Sequence, residues 1–379
     1  MTCISCGRRA FAPSSAASLP LLLLRSTSAE APLTLSHPPT LAQDISGFSA
    51  LNEHFAKDGG DGLGQMMSLV NMYFQQMIKI TSACGGDVIK FAGDALICLW
   101  TQQGEAATAP VQASTVHRAI ACAMELQDAL HDCPMTDRIR LSLKIGVGIG
   151  QVTMFYVGGH AGRCEYFAAG PALRECFAAC DIAVSGDVIV SAAVWSEVHE
   201  ECESLERSNG FRALTAMTKT MRKKSVNRTM ITQEVSVETL RGYVPPVMLS
   251  ACALEASIGQ SLRGWTVSVV QASVLFVNLG IGGLMDQLAL DCTKIHVAVL
   301  TVQRIVQTLS GCIHRFTVDD KGCVMRVVFG AHLPHEDQPY RALLAALQLR
   351  QALSLQGIQP AVGVASGLSL IGPVGSATR

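Results

Sequence analysis

Asp44-Ile45-Ser46-Gly47-Phe48, followed by Gly85-Gly86-Asp87-Val88-Ile89-Lys90-Phe91-Ala92-Gly93-Asp94-Ala95-Leu96-Ile97, is the stretch that decides how this chain folds. Short β-favouring runs broken by a turn with Gly and Asp are the sequence form of a β-hairpin. Upstream of the hairpin, Met66, Val70, Tyr73, Met77 and Ile80 step by four, three, four and three. That spacing makes one apolar stripe along a helix that packs on a sheet. Downstream, a second helix is predicted around Val116 to Leu130, then a glycine-punctuated strand from Lys144 to Gly150.

The same order returns further along. Leu275-Phe276-Val277-Asn278-Leu279 stands where the first copy has its Asp44 stretch, and Ile295, Val299, Val302, Val306 and Leu309 repeat the helical steps. A second hairpin spans Gly311 to Phe329, a helix Arg341 to Leu353 and a strand Val362 to Gly367. Strand, helix, hairpin, helix, strand, twice over, predicts two tandem α+β sandwich domains with helices on mostly antiparallel sheets. The expected boundaries are a disordered or atypical segment at 1–40, a first domain at 41–204, a linker at 205–265 and a second domain at 266–379. The linker carries the basic cluster Lys219, Arg222, Lys223, Lys224 and Arg228, read as a solvated face.

Composition bounds the class. With 379 residues there is room for two ordinary domains, and 49% apolar against 16% charged residues marks a globular chain. A net charge of −1 offers no electrostatic ground for nucleic acid or an anionic membrane as partner. Trp100, Trp195 and Trp265 form no base-stacking series. No run reaches the ~18–20 continuous apolar residues that span a bilayer, so no transmembrane segment is expected. The 14 cysteines lack a framework spacing and read as reduced thiols of a cytoplasmic protein.

Two carboxylates, Asp44 at a strand end and Asp94 in a hairpin turn, can converge on hard cations that also take phosphate oxygens. The tight turn at Ile45-Ser46-Gly47-Phe48 can face phosphate with backbone N–H groups, and Lys144 adds a charge-assisted contact. Gly146, Gly148 and Gly150 do not open a helix, so they read as a close-packed strand rather than a dinucleotide fingerprint.

In this wording, DISGF followed by GGDVIKFAGDAL resembles the first catalytic domain of the class III nucleotide cyclases. With FVNL in the second copy it is similar to the bicarbonate-regulated soluble adenylyl cyclases of animals, over residues 41–200 and 265–379. The resemblance implies cyclase-type, ferredoxin-like domains paired within the chain as a head-to-tail pseudo-dimer. ATP would lie between them and become 3′,5′-cyclic AMP and pyrophosphate in intracellular signalling. Asp44, Asp94 and the Ile45 carbonyl would hold two Mg²⁺ ions, with Mn²⁺ or Ca²⁺ admissible at one position. The implied ATP-binding set is Asp44, Ile45, Ser46, Gly47, Phe48, Ser49, Asp94 and Lys144, with Arg315 from the second domain. Asn278, in place of Asp44, supplies no ionised carboxylate, so the second domain is expected to bind no metal.

The family's bicarbonate set falls on Lys90, Ala168, Phe177 and Val318. Phe177 stands where the family has an arginine, with Arg174 three positions away as a substitute. Arg315 replaces the family's adenine-reading lysine. Pro38 and Pro39 are expected to shorten or distort the strand that bears Asp44. The second domain reads as truncated, because the sequence stops before the segment that carries the family's ribose asparagine and transition-state arginine. Two rival readings stand beside the adenylyl cyclase: a catalytically inactive cyclase-like nucleotide-binding or regulatory module, and a guanylyl cyclase.

Overall fold

The structure, a computed structural model, describes residues 3–4, 33–35, 38–57, 59–92, 95–101, 113–218, 241–246, 268–281, 292–319 and 322–371. Two short strands, β1 (Cys3–Ile4) and β2 (Leu33–Leu35), precede the first copy. That copy comprises β3 (Pro39–Ser46), α1 (Phe48–Ala56), α2 (Gly59–Ala83), the hairpin β4 (Asp87–Ala92) and β5 (Ala95–Leu99), α3 (Ala113–Leu130), the short β6 (Cys133–Pro134) and β7 (Arg140–Ile149). It continues through β8 (Val152–Gly158), β9 (Cys164–Ala169), α4 (Pro171–Ile182), β10 (Val188–Val190), α5 (Ala192–Val198), β11 (Cys202–Glu206) and β12 (Arg212–Met217). The second copy comprises β13 (Ser268–Asn278), α6 (Cys292–Thr308), the hairpin β14 (Gly311–Asp319) and β15 (Gly322–Phe329), α7 (Gln338–Leu355) and β16 (Ala361–Ile371).

The first copy builds one sheet in the order β11-β12-β10-β7-β3-β5-β4, with β6 beside β7. Its strands are antiparallel except for β10 on β7. Strands β11 and β12, in residues expected to be linker or to border it, extend this sheet to Met217. The second copy builds β16-β13-β15-β14, and β1 adds to β16 in parallel. The basic cluster between the copies lies outside the described residues.

The amphipathic stripes bury as their spacing requires. Met66, Val70, Tyr73, Met77 and Ile80 of α2 join Ile120 and Leu126 of α3 in a core against Leu41, Ile45, Leu143 and Ile145. In the second copy Ile295, Val299, Val302 and Val306 of α6 meet Leu349 and Leu353 of α7 over Leu275 and Val277. Leu309 lies one residue past α6 and is only partly buried.

The opposite face of the first sheet is covered by α4. A Cβ on Gly146 or Gly148 would collide with the backbone of α4, at the Cys176 and Ala172 carbonyls respectively. The glycines of the GxGxG stretch are therefore a helix–sheet contact, as expected from the sequence. On β16 the same stripe reads Gly363 and Gly367, where an added Cβ would meet nothing within 4 Å.

One expectation is overturned. The strand bearing Asp44 is neither short nor distorted: β3 is eight residues long and lies between β5 and β7 in the middle of the sheet. Pro39 opens the strand, where a missing N–H costs little, and its carbonyl still accepts from the Trp100 N–H at 3.1 Å. Thr40 onward supplies the ladder donors that the two prolines cannot.

The copies are joined by an antiparallel ribbon. Strands β2, β8 and β9 form a separate sheet, and Val157, Phe167 and Ala169 from it sit in the second copy's core. Phe167 stacks on Phe155 at 5.0 Å and meets Phe316 edge-on at 5.7 Å. No helix among the described residues is long and apolar enough to cross a membrane.

Candidate active site

Alternation along β3 puts Ala42 against Cys176 and Cys180 of α4, and Asp44 therefore on the same face, near the strand end. Its cross-strand partner on β7 is Lys144, and the two side chains form an ion pair of 2.9 Å from Lys144 Nζ to Asp44 Oδ2. Both are about two-thirds buried, at 27% and 31% exposure. The Asp44 carboxylate holds the Lys144 ammonium above its ordinary pKa, first through the hydrogen bond. The Lys144 carbonyl accepts from Cys180 Sγ, and the Asp181 carboxylate adds to the negative field there.

Ile45 faces the opposite way, into the core, 4% exposed. Ser46 closes the β3–β7 ladder opposite Ser142. Gly47 then turns the chain at φ +94°, and a Cβ there would stand 2.6 Å from the Arg140 carbonyl oxygen. Only glycine suits both constraints. Helix α1 begins at Phe48 with Gly47 as its N-cap and no side-chain cap. The first turn of a helix leaves N–H groups without intrahelical acceptors, so Phe48 and the exposed Ser49 begin a natural anion cradle.

Asp94 lies outside the described residues. The strand ends that flank it are described: Ala92 pairs with Ala95, and β5 sets Leu96 opposite Gln43. The hairpin end thus borders the strand position of Asp44. A partly exposed carboxylate is a donor for a hard divalent cation rather than a soft one. Among the described residues no group of three or more His, Cys, Asp or Glu side chains is poised to hold a metal.

In the second copy Asn278 takes the place of Asp44. Its Oδ1 accepts from the Gly280 N–H at 2.9 Å, and its cross-strand partner on β16 is Ala361. The carboxylate and the lysine of the first copy are both absent from this matching position.

Lys90, Ala168, Phe177 and Val318 come together. They line one cavity between the copies, about 430 Å³ of empty space with its mouth included, alongside Ile89, Met154 and Leu173. Lys90 Nζ donates to the Tyr166 carbonyl at 2.9 Å and stands 4.7 Å over the Tyr166 ring. Burial pulls the Lys90 pKa down to about 8; Glu165 opposes the shift, and Arg315 and Arg163 add to it. Arg174, the substitute expected for the missing arginine, is exposed on α4 and does not line the cavity, whereas Phe177 does.

Arg315 is placed by a feature the two hairpins share. The β4–β5 ladder shifts register between Val88 and Lys90, and the β14–β15 ladder between Ile313 and Arg315. The same bulge in both copies re-aims the residue that follows it. The positive field of Arg315 reaches Lys90 and Tyr166, which line the cavity, and His314 beside it in sequence.

Sequence reasoning did not single out Arg163, Glu165 or Gln303. Arg163 and Glu165 pair at 2.9 Å with little exposure. Gln303 of α6 accepts from the Gly159 and His160 N–H groups at 3.2 and 3.1 Å and donates to the Arg163 carbonyl at 2.9 Å. A glutamine on the buried stripe of an amphipathic helix was the available signal.

Residues 40–212 match the adenylate and guanylate cyclase catalytic domain. Those residues are similar to the catalytic domain of that family, over a little less than half of the chain. Adenylate cyclase type 10 from mouse is 26% identical over 371 residues, covering 89% of this chain and 22% of that protein. The human counterpart is 24% identical over 369 residues, with the same coverage. The chain therefore spans about a fifth of the length of these relatives. Among solved structures, a class III adenylyl cyclase-like ATP-binding protein from Pseudomonas aeruginosa aligns with a TM-score of 0.59 at 14% identity, over 93% of this chain and 79% of that one. That likeness concerns the fold. Within the matched residues, Asp44, the Gly47 turn and the start of α1 lie at one end of β3, and the Lys90 cavity lies at the contact with the second copy.

Proposed function

We propose that the chain is an adenylyl cyclase that converts ATP to 3′,5′-cyclic AMP and pyrophosphate between two cyclase-type units paired head to tail. The observation that carries this reading is the end of β3, with an Asp44 carboxylate about a third exposed, one turn from the uncapped N-terminus of α1. In this reading Asp44, Asp94 and the Ile45 carbonyl hold two divalent cations, Mg²⁺ in the first instance. Bound there, such ions supply Lewis-acid activation of the ribose 3′-hydroxyl and neutralise the triphosphate. Ser46, Gly47, Phe48 and Ser49 cradle the phosphates through backbone N–H groups. Lys144 donates a further charge-assisted contact, and Arg315 reads the base from the second unit.

The cyclase assay with ATP and GTP compared tests the reading. Asp44→Asn and Asp94→Asn are each expected to lower Mg²⁺-dependent cyclic AMP formation by at least about 10²-fold. Retained activity in either removes the two-carboxylate proposal, and a preference for GTP makes the chain a guanylyl cyclase.

Bicarbonate regulation belongs to the same proposal, at the Lys90 cavity. Among the lining residues Lys90 is the one cation, and it already serves the Tyr166 carbonyl. Phe177→Arg is therefore expected to increase activation in a bicarbonate titration, by about threefold or more. An unchanged response places the regulator elsewhere.

A second reading, a nucleotide-binding module that turns over poorly, is favoured by the ion pair that occupies Asp44. Tight binding of ATP without cyclic AMP formation would select it.

A further inference from the structure

Asp44 and Lys144 are more than neighbours. They are cross-strand partners on one face of the sheet, and their charged atoms are in contact at 2.9 Å. At about a third exposure such a pair is screened less than one in open solvent. The second copy supplies an internal control. There the matching strand partners are Asn278 and Ala361, so the acid and the base are missing together.

A divalent cation that ligates Asp44 Oδ2 meets an ammonium already within hydrogen-bond distance of that oxygen. Two cations cannot share that contact without repulsion. Lys144 must therefore leave, and it needs a new acceptor. The anion cradle at the start of α1 begins at Phe48, four residues from Asp44 along the chain, so a triphosphate bound there offers one.

We propose that Lys144 is the built-in counter-ion of Asp44, exchanged for a divalent cation and handed on to the triphosphate, so that cation and nucleotide bind cooperatively. The inference rests on the reading of Asp44 as a cation ligand. It makes Lys144 a positioning residue that suppresses cation binding without nucleotide and rewards it with nucleotide.

Mn²⁺ titration of the full chain, followed by electron paramagnetic resonance without nucleotide, tests this. Lys144→Met is expected to tighten Mn²⁺ about three- to tenfold, and Lys144→Arg to leave it unchanged. Adding α,β-methylene-ATP is expected to tighten Mn²⁺ in the wild type by a larger factor than in Lys144→Met. Asp44→Asn is expected to lose the site. If Asp44→Asn loses Mn²⁺ while Lys144→Met binds it no tighter than wild type, the counter-ion role is overturned and the carboxylate site stands. Weaker binding in both lysine variants overturns it equally. If Asp44→Asn binds Mn²⁺ as the wild type does, the site reading falls and the inference with it.

Discussion

Lys90 shows how a single residue's surroundings alter its chemistry. A hairpin lysine in solvent keeps its ordinary pKa. This one lies at an interdomain cavity with its ammonium over Tyr166, and burial lowers its pKa from 10.5 to about 8. The native state gives up that proton before the unfolded chain does. Its contribution to stability therefore rises with pH between about 8 and 10.5 and is flat below that window. Urea unfolding of wild type and Lys90→Met across pH 7 to 10.5 checks this; the stability of wild type relative to the variant is expected to climb through the window. A parallel pair of curves would mean that Lys90 is solvated. Glu165, its opposing charge, is held above the ordinary carboxylate range by burial, with Arg163 and Lys90 working against the shift.

At the scale of elements, periodicity was a sound guide where one face of a helix or strand is buried. The stripes of α2 and α6 and the strand–helix–hairpin–helix–strand order follow from apolar spacing, because burying that spacing is what stabilises them. The prolines before Asp44 misled, since a proline's effect depends on whether it opens a strand or interrupts one. The shared bulge was invisible as well: Ile89 and His314 carry no bulge signature, and only the register of the paired strands reveals it. The glycines of β7 lead to a prediction. Gly146→Val would drive a side chain into the α4 backbone, which cannot move aside as a flexible side chain would. A loss of about 1–3 kcal/mol is expected in urea unfolding. The same change at Gly363 of β16, where the space is open, is expected to cost far less.

At the scale of the whole molecule, the two copies share a core through the β8–β9 ribbon and a polar clamp at Gln303. Gln303→Ala would leave the Gly159 and His160 N–H groups and the Arg163 carbonyl without that partner. An interface loss of about 1–3 kcal/mol is expected, read as a lower midpoint or a split transition in thermal unfolding. An unchanged single transition would show that the ribbon alone couples the copies.

What the sequence determined by itself was local and periodic. It contained the repeated element order, the apolar stripes, the Gly47 turn and the match to a cyclase catalytic domain over residues 40–212. Each rests on neighbours a few residues apart, which is the range over which backbone geometry and burial patterns act. The tertiary structure decided the rest. It brought Lys144 onto Asp44, gathered Lys90, Ala168, Phe177 and Val318 around one cavity, and brought the charge of Arg315 within reach of Lys90. Those relations depend on strand register and on the packing of one copy against the other. Register and packing are set by the summed burial of two whole cores, not by the residues that meet.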